Sequence, residues 1–207
     1  ALLSYGMSGK LFHAPFIELH PGFKLVGAWE RSKRSIADDY PGAKSYPDME
    51  SLLADDSIDL VIVNTPTYTH YEYAKAALLA NKNIVVEKAF TTTVDEALEL
   101  KALAERQNKK IAVFQNRRWD SDFKTVQKVV ADGKLGTIIE AEIHFERYNP
   151  LLSPKQHKEK PGPGAGILKD LGPHLIDQAL CLFGIPVELF ADIFAIIGAF
   201  LVFTEDR

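Results

Sequence analysis

The sequence predicts an α/β chain built on a doubly wound parallel sheet, and three observations predict it. First, apolar runs of strand length recur along the first half: Leu60–Asn64 (LVIVN), Ile84–Glu87 (IVVE) and Ile111–Gln115 (IAVFQ). They are nearly continuous and rich in Val and Ile, as expected of parallel strands covered on both faces. Second, the segments between them open with helix start signals. Third, a glycine-bearing turn joins the first strand to the first helix.

In order, Leu2–Tyr5 reads as the end of a strand, Lys10–Leu19 as a helix and Phe23–Trp29 as a second strand. Thr69-His70-Tyr71-Glu72 before YAKAALLA and Thr93-Val94-Asp95-Glu96 before ALELKALAE both match a capping box. In such a box the Thr oxygen accepts from the third helical N–H while the Glu reaches back. The alternation β-α-β-α-β-α-β-α-β is that of a sheet wound with helices on both faces. After Gln115 the texture changes. Trp119–Ala131 reads as a helix stopped by Asp132–Gly136. Thr137–Tyr148 alternates like an antiparallel strand with one wet face. Asn149–Gly166 is rich in Pro, Lys and Gly and reads as a loop, Ile167–Phe183 as a helix, and Ile193–Phe203 as a buried strand. A domain boundary falls near Arg117.

Composition narrows the function classes. The 207 residues are 46% hydrophobic and 25% charged, with net charge -4, so most of the chain is expected to fold. The pI of about 5.9 gives no global basic field, and no nucleic-acid partner is expected. A single cysteine, Cys181, excludes an intramolecular disulfide framework and fits a reducing, cytoplasmic compartment. The longest apolar run, 193–203, is shorter than the roughly 20 residues that span a bilayer, and no charged segment leads into an apolar one. No signal peptide and no membrane partner are therefore expected. The chain opens in an apolar run without methionine, so residues are expected to precede Ala1.

Four places carry candidate chemistry. Ser4-Tyr5-Gly6-Met7-Ser8-Gly9 has the spacing of a G-x-G-x-x-G turn with Ser4 in the first glycine position. Such a turn lets backbone approach a pyrophosphate and aims helix N–H groups at it; a tight strand–helix turn without a ligand has the same composition. Glu30 ends the second strand about 20 residues later, where a carboxylate can accept from a ribose diol. Arg31, Ser32, Lys33 and Arg34 follow, and guanidinium groups bind phosphate; NAD and NADP both remain open. Glu87-Lys88-Ala89 closes the fourth strand, at the strand ends where open α/β sheets bind ligands. A surface lysine is the plainer alternative. Finally, Asp170 and His174 stand at i and i+4, sharing one face if the helix is continuous through Pro173. An Asp there can orient a His for proton transfer, or the two form a structural pair. The spacing also suits two metal ligands, but no third ligand motif accompanies it, and no metal is expected.

The stretches SYGMSGKLFHAPFI, DLVIVNTPTYTHYEYAKAALLANKNIVVEKAF, QNRRWDSDF, GKLGTIIEAE and ILKDLGPHLIDQ together resemble the Gfo/Idh/MocA oxidoreductases, over about residues 1–185. This is the glucose-fructose oxidoreductase and inositol dehydrogenase family. QNRRWD with DLGPHLIDQ is most similar to the subgroup containing NADP-dependent scyllo-inositol dehydrogenases. The resemblance implies a Rossmann NAD(P)-binding domain over 1–117. A substrate-binding and oligomerisation domain with a mostly antiparallel sheet would follow over 118–207, incomplete in this chain. It implies hydride transfer between nicotinamide C4 and a carbinol carbon of a sugar, polyol or cyclitol. Lys88 matches the lysine that contacts the reacting hydroxyl, His174 the proposed general acid/base, and Asp170 the aspartate that assists it.

The resemblance further places Tyr5, Gly6, Ser8, Gly9, Glu30, Arg31, Ser32 and Glu87 with the cofactor, together with Thr65, Pro66 and His70 of a loop along it. Asn116, Arg117, Trp119 and Tyr148 are placed with the substrate, and a homo-oligomer is implied. A non-catalytic NAD(P)-binding regulator of the same fold is the alternative. Three departures stand out. Ser4 replaces a glycine. Ala89 replaces the family proline after Lys88, and since a non-proline cis bond costs roughly 3–4 kcal/mol, a trans Lys88–Ala89 bond is expected. Residues from about Asp192 onward do not read as a smooth continuation of the second domain.

Overall fold

A computed structural model describes residues 1–30, 33–146, 151 and 159–190. The chain divides into two compact units, Ala1–Phe114 and Gln115–Arg207. In the first, a π-helical turn (Gly9–His13) runs into α1 (Ala14–Leu19), followed by β1 (Gly27–Trp29), α2 (Ile36–Asp39), β2 (Lys44–Tyr46) and α3 (Met49–Leu53). Then come β3 (Leu60–Val63), a 3₁₀ turn (Thr67–Thr69), α4 (His70–Leu79), β4 (Asn83–Glu87), α5 (Val94–Arg106) and β5 (Ile111–Phe114). All pairings are parallel: β1 with β2, β3 with β4, and β4 with β5. Leu2 bridges Ala28 on one side and Ile62 on the other. The N-terminal segment therefore occupies the centre, giving the spatial order β2, β1, N-terminal segment, β3, β4, β5. This is the 3-2-1-4-5-6 order of a dinucleotide-binding sheet when that segment is counted first.

Alternation along the central strands divides the core in two. Leu3, Val61, Val63, Ile84 and Val86 face one side and pack with Ala74, Ala77 and Leu78 of α4 and Leu100, Leu103 and Ala104 of α5. Leu2, Ala28 and Ile62 face the other and pack with Ala14 of α1 and Ile36 of α2. Each fully buried Leu or Ile removes apolar area worth about 2 kcal/mol from water, so both faces hold the sheet.

Several expectations are corrected. The segment Lys44–Tyr46 is a strand the patterning missed, because a three-residue edge strand with polar Lys44 and Ser45 has no apolar run. The second strand is Gly27–Trp29 rather than Phe23–Trp29, since Phe23 closes a turn back to His20. β5 is an edge strand: Val113 is 37% exposed, so its apolar run does not mean cover on both faces. The capping box expected at Thr69 is not formed. Thr69 lies in the 3₁₀ turn, and its hydroxyl donates to the Pro66 carbonyl. The box at Thr93 is complete, with Glu96 reaching back to the Thr93 N–H.

In the second unit a 3₁₀ turn (Asn116–Trp119) leads into α6 (Ser121–Ala131), which stops where expected, with Gly133 and Gly136 at positive φ. α7 (Ile167–Asp170) and α8 (Gly172–Phe183) follow. The expected helix over 167–183 is thus two helices, parted at Leu171 because Pro173 lies in the first turn of α8. Residues 137–146 form no strand; a strand exists only beside a hydrogen-bonding neighbour, and none runs along them among the described residues. The strand expected over 193–203 lies outside the described residues. Among those described, no helix is long and apolar enough to cross a membrane.

Candidate active site

The first unit places a cavity at the carboxyl ends of its central strands. Its walls include Ser4, Tyr5 and Gly6 after the N-terminal segment, Trp29 at the end of β1 with Glu30 and Lys33 beyond it, and Thr65, Pro66 and Tyr68 after β3. The glycine loop is held by its neighbours. The Gly6 N–H donates to Ser4 Oγ at 3.3 Å, so Ser4 supports the turn by a hydrogen bond. Asn64 Nδ2 donates to the Ser4 carbonyl at 2.7 Å and lies 3.4 Å from Ser8 Oγ. A Cβ on Gly9 would stand 2.6 Å from the Ser4 carbonyl oxygen, closer than packing permits. The Gly6 position would meet only Ser4 Oγ, at 3.5 Å. Neither glycine has positive φ. Gly9 is required by the approach of its own chain, whereas Gly6 leaves its outer face open at the cavity wall. The cradle fits a dinucleotide: two glycines, helix-start N–H groups and a cavity beside them.

Around the loop, Tyr5 turns its hydroxyl to Asp39 at 2.8 Å, and burial followed by that contact pushes its phenol well above the ordinary range. Lys10 and Tyr5 hold the Asp39 carboxyl below the usual range. Glu30 is occupied: one carboxylate oxygen accepts from Ser35 Oγ at 3.0 Å and the other from the Ile36 N–H at 3.0 Å, at the start of α2. Arg31, Ser32 and Tyr148 lie outside the described residues. Glu87, at the end of β4, lies 2.9 Å from Nε2 of buried His13, whose ring packs at a tilt of 48° against Phe114. Sequence reading missed His13 and Asn64. The signal was there for Asn64, a polar residue closing an otherwise apolar strand.

Lys88 follows β4 and is half-buried. The Lys88–Ala89 peptide is cis, which overturns the expected trans bond. That expectation weighed only the intrinsic cost of the bond and not its setting, where the Ala89 and Phe90 carbonyls both face His70 Nδ1. His70 is 1% exposed, and its Nε2 faces the Thr65 carbonyl at 2.8 Å.

In the second unit, His174 is buried and Asp170 half-buried, and the break at Leu171 separates them onto two helices. The single helix expected through both is therefore two, joined at Leu171, whose backbone stays in the right-handed helical region. Arg118, which sequence reading passed over, grips Asp177 with two bonds of 2.7 and 2.6 Å, tying the 3₁₀ turn to α8. Arg117 bonds Asp120 at 3.0 Å and its guanidinium lies over Phe145. Asn116 is half-buried, and Trp119 is 71% exposed with Lys124 over its ring. Among the described residues, no three His, Cys, Asp or Glu side chains gather as metal ligands would.

Comparison with known proteins agrees with this geometry. Residues 2–115 match the oxidoreductase family with an NAD-binding Rossmann fold, and residues 123–203 match the GFO/IDH/MocA C-terminal domain. The second match continues past Asp192, where the patterning had suggested a departure. The chain is 43% identical to the Escherichia coli oxidoreductase YdgJ, over 93% of this chain and 55% of that protein. It is 36% identical to the Bacillus subtilis scyllo-inositol 2-dehydrogenase (NADP(+)) IolW, over 94% of this chain and 54% of that protein. A crystal structure of an oxidoreductase from Bacteroides fragilis superposes with a TM-score of 0.84 at 45% identity, over 94% of this chain and 54% of the other. A structure of GenD2 in complex with NAD superposes with a TM-score of 0.71 at 25% identity, over 89% of this chain and 53% of the other. The chain thus spans about half the length of these relatives. The sheet order, the glycine cradle at its strand ends and the two matched segments agree: the chain belongs to the Gfo/Idh/MocA oxidoreductase family.

Proposed function

We propose that this protein is an NADP(H)-dependent dehydrogenase acting on a CH–OH group of a sugar, polyol or cyclitol. The observation that carries the reading is the cavity at the strand ends, lined by Ser4, Tyr5 and Gly6 of the glycine loop together with Lys33, Thr65 and Pro66. When bound, the nicotinamide ring supplies the hydride acceptor or donor. The loop Tyr5–Gly9 would hold the pyrophosphate, with the Gly6 N–H already given to Ser4 Oγ, and Thr65 and Pro66 would border the cofactor beyond it. Lys88 places an ammonium at the end of β4, where it stabilises the alkoxide that forms as the hydroxyl loses its proton. His174 takes that proton, and Asp170 orients it. Asn116, Arg117 and Trp119 belong to the substrate side.

The choice of NADP rests on Glu30 and Lys33. Each Glu30 oxygen already accepts one hydrogen bond, from Ser35 Oγ or from the Ile36 N–H, so a ribose diol would share the carboxylate with the start of α2. Lys33 lines the same cavity and offers a cation to a 2′-phosphate. The similarity to IolW, a scyllo-inositol 2-dehydrogenase (NADP(+)), supports both parts of the proposal.

Fluorescence titration of the protein with NADPH and with NADH tests it. NADPH should bind at least about 10-fold tighter, and Lys33→Ala should remove most of that margin, consistent with one charge-assisted contact. A preference for NADH would overturn the NADP assignment, and binding of neither would overturn the dehydrogenase. With a substrate found from a polyol panel, Lys88→Met should cut kcat by about 100-fold or more while the cofactor Kd stays within about twofold. Equal losses in both would remove Lys88 from the chemistry. Cofactor binding without turnover on any polyol would favour a regulator.

A further inference from the structure

Asn64 follows β3 and is 6% exposed, a polar side chain buried at the end of an apolar strand. Strand pairing brings it to the glycine loop. Leu2 bridges Ile62, and the Leu3 N–H donates to the Ile62 carbonyl at 2.9 Å, so Asn64, two residues on, comes beside Ser4. Its Nδ2 stands where the two ends of the loop meet. It donates to the Ser4 carbonyl at 2.7 Å and to Ser8 Oγ at 3.4 Å, and it is 3.2 Å from where a Cβ on Gly9 would stand. A carbonyl oxygen only accepts, so the amide must present its nitrogen there. The two N–H bonds of that nitrogen match the two acceptors. The other half of the amide is left over: Oδ1 is buried with no hydrogen-bond partner among the described residues. A buried acceptor without a donor is unfavourable. An apolar side chain would bury no such atom, and turning the amide over would set two acceptors against each other.

We infer that Asn64 is a positioning residue, an amide clamp that fixes the shape of the glycine loop and thereby its fit to a pyrophosphate. The inference rests on the reading of Tyr5–Gly9 as the cofactor cradle. Asn64 acts through the loop without touching the cofactor, because Nδ2 is spent on Ser4 and Ser8 and Oδ1 is buried. A loop held at both ends before the ligand arrives loses less freedom on binding, and the difference appears as affinity. The two N–H bonds thus account for an amide kept where one of its own atoms goes unpaired. Loss of the clamp should weaken ligands according to their use of the loop. Those with a pyrophosphate should suffer, and those held only at the Lys33 end of the cavity should not.

Two variants test the clamp. Asn64→Asp keeps the shape and sets a carboxylate oxygen against the Ser4 carbonyl. Asn64→Ala removes the amide and leaves room, and it carries the test where the Asp variant does not fold. Each is titrated with NADPH and with adenosine 2′-monophosphate, which has the 2′-phosphate and no pyrophosphate. Amide hydrogen exchange is measured without ligand. NADPH should weaken at least about tenfold, the scale of one lost hydrogen bond, while adenosine 2′-monophosphate stays within about twofold. Exchange in residues 4–9 should accelerate at least about tenfold, with β3 and β4 unchanged. An asparagine that serves only the packing of the sheet would loosen the strands and weaken both ligands together, and that outcome would overturn the inference. Unchanged NADPH affinity, or unchanged exchange in residues 4–9, would overturn it equally. Wild-type protein that binds no NADPH is a separate result: it overturns the dehydrogenase reading, while exchange in the variants still decides whether Asn64 holds the loop.

Discussion

Gly6 and Gly9 stand three residues apart in one loop, yet the fold and the ligand require them for different reasons. A side chain at Gly9 collides with the Ser4 backbone, which Asn64 pins and which has no freedom to yield. Gly9→Ala should therefore cost about 1–3 kcal/mol of stability, as overpacking does, and should weaken NADPH binding as well. A side chain at Gly6 meets only ordinary contact with Ser4 Oγ. Gly6→Ala should leave stability within about 0.5 kcal/mol while weakening NADPH at least tenfold, because a methyl would stand where backbone must approach pyrophosphate. Denaturant unfolding and NADPH titration of the two variants check the contrast. If both lose stability equally, the separation of roles is wrong.

At the scale of elements, the two Thr-x-x-Glu sequences show how local chemistry yields to tertiary context. Thr93 caps α5 as its sequence says, and Thr93→Ala should lower stability by about 1 kcal/mol in denaturant melts. Thr69 has the same sequence signal, but its hydroxyl closes the 3₁₀ turn onto Pro66 and Thr65 instead. The preceding Pro66 and the burial of His70 set the entry to α4, and the cap gives way. Likewise, the sequence reads as one helix over 167–183, and the structure divides it at Leu171, ahead of Pro173. The Arg118–Asp177 pair is what fastens α8 to the turn Asn116–Trp119, and no periodicity in the sequence marks a contact across 59 positions.

For the whole molecule, the charge network makes stability depend on acid. Lys44, Ser57 and Tyr46 hold the Asp55 carboxyl far below the usual carboxylate range, and Lys75 with Tyr71 lowers Glu99. For a carboxylate depressed in the folded state, the unfolded chain binds more protons, so stability rises with pH through that window. The contribution is complete above the unfolded value of about 4 and is lost as pH falls through the folded one. The melting temperature should hold between pH 7 and 5 and fall steeply below pH 4. Asp55→Asn should lower Tm at pH 7 and flatten that acid slope; an unchanged slope would remove Asp55 from the network.

The alternation of apolar strands and helices determined the doubly wound sheet, because each burial face must repeat with the period of its own element. Composition and spacing along the chain also located the glycine loop, Glu30, Lys88 and the Asp170–His174 segment, since these motifs are local. Only the tertiary structure decided what those residues touch. It showed Glu30 spent on α2, Glu87 facing His13, Asn64 clasping the Ser4 carbonyl, a cis bond after Lys88 and a three-residue edge strand at Lys44–Tyr46. The physical reason is common to all of them. Each depends on a partner outside its own motif, whether five residues on as for Glu30 or sixty away as for Asn64, or on a backbone state, and none of these leaves a period or a pattern in the sequence.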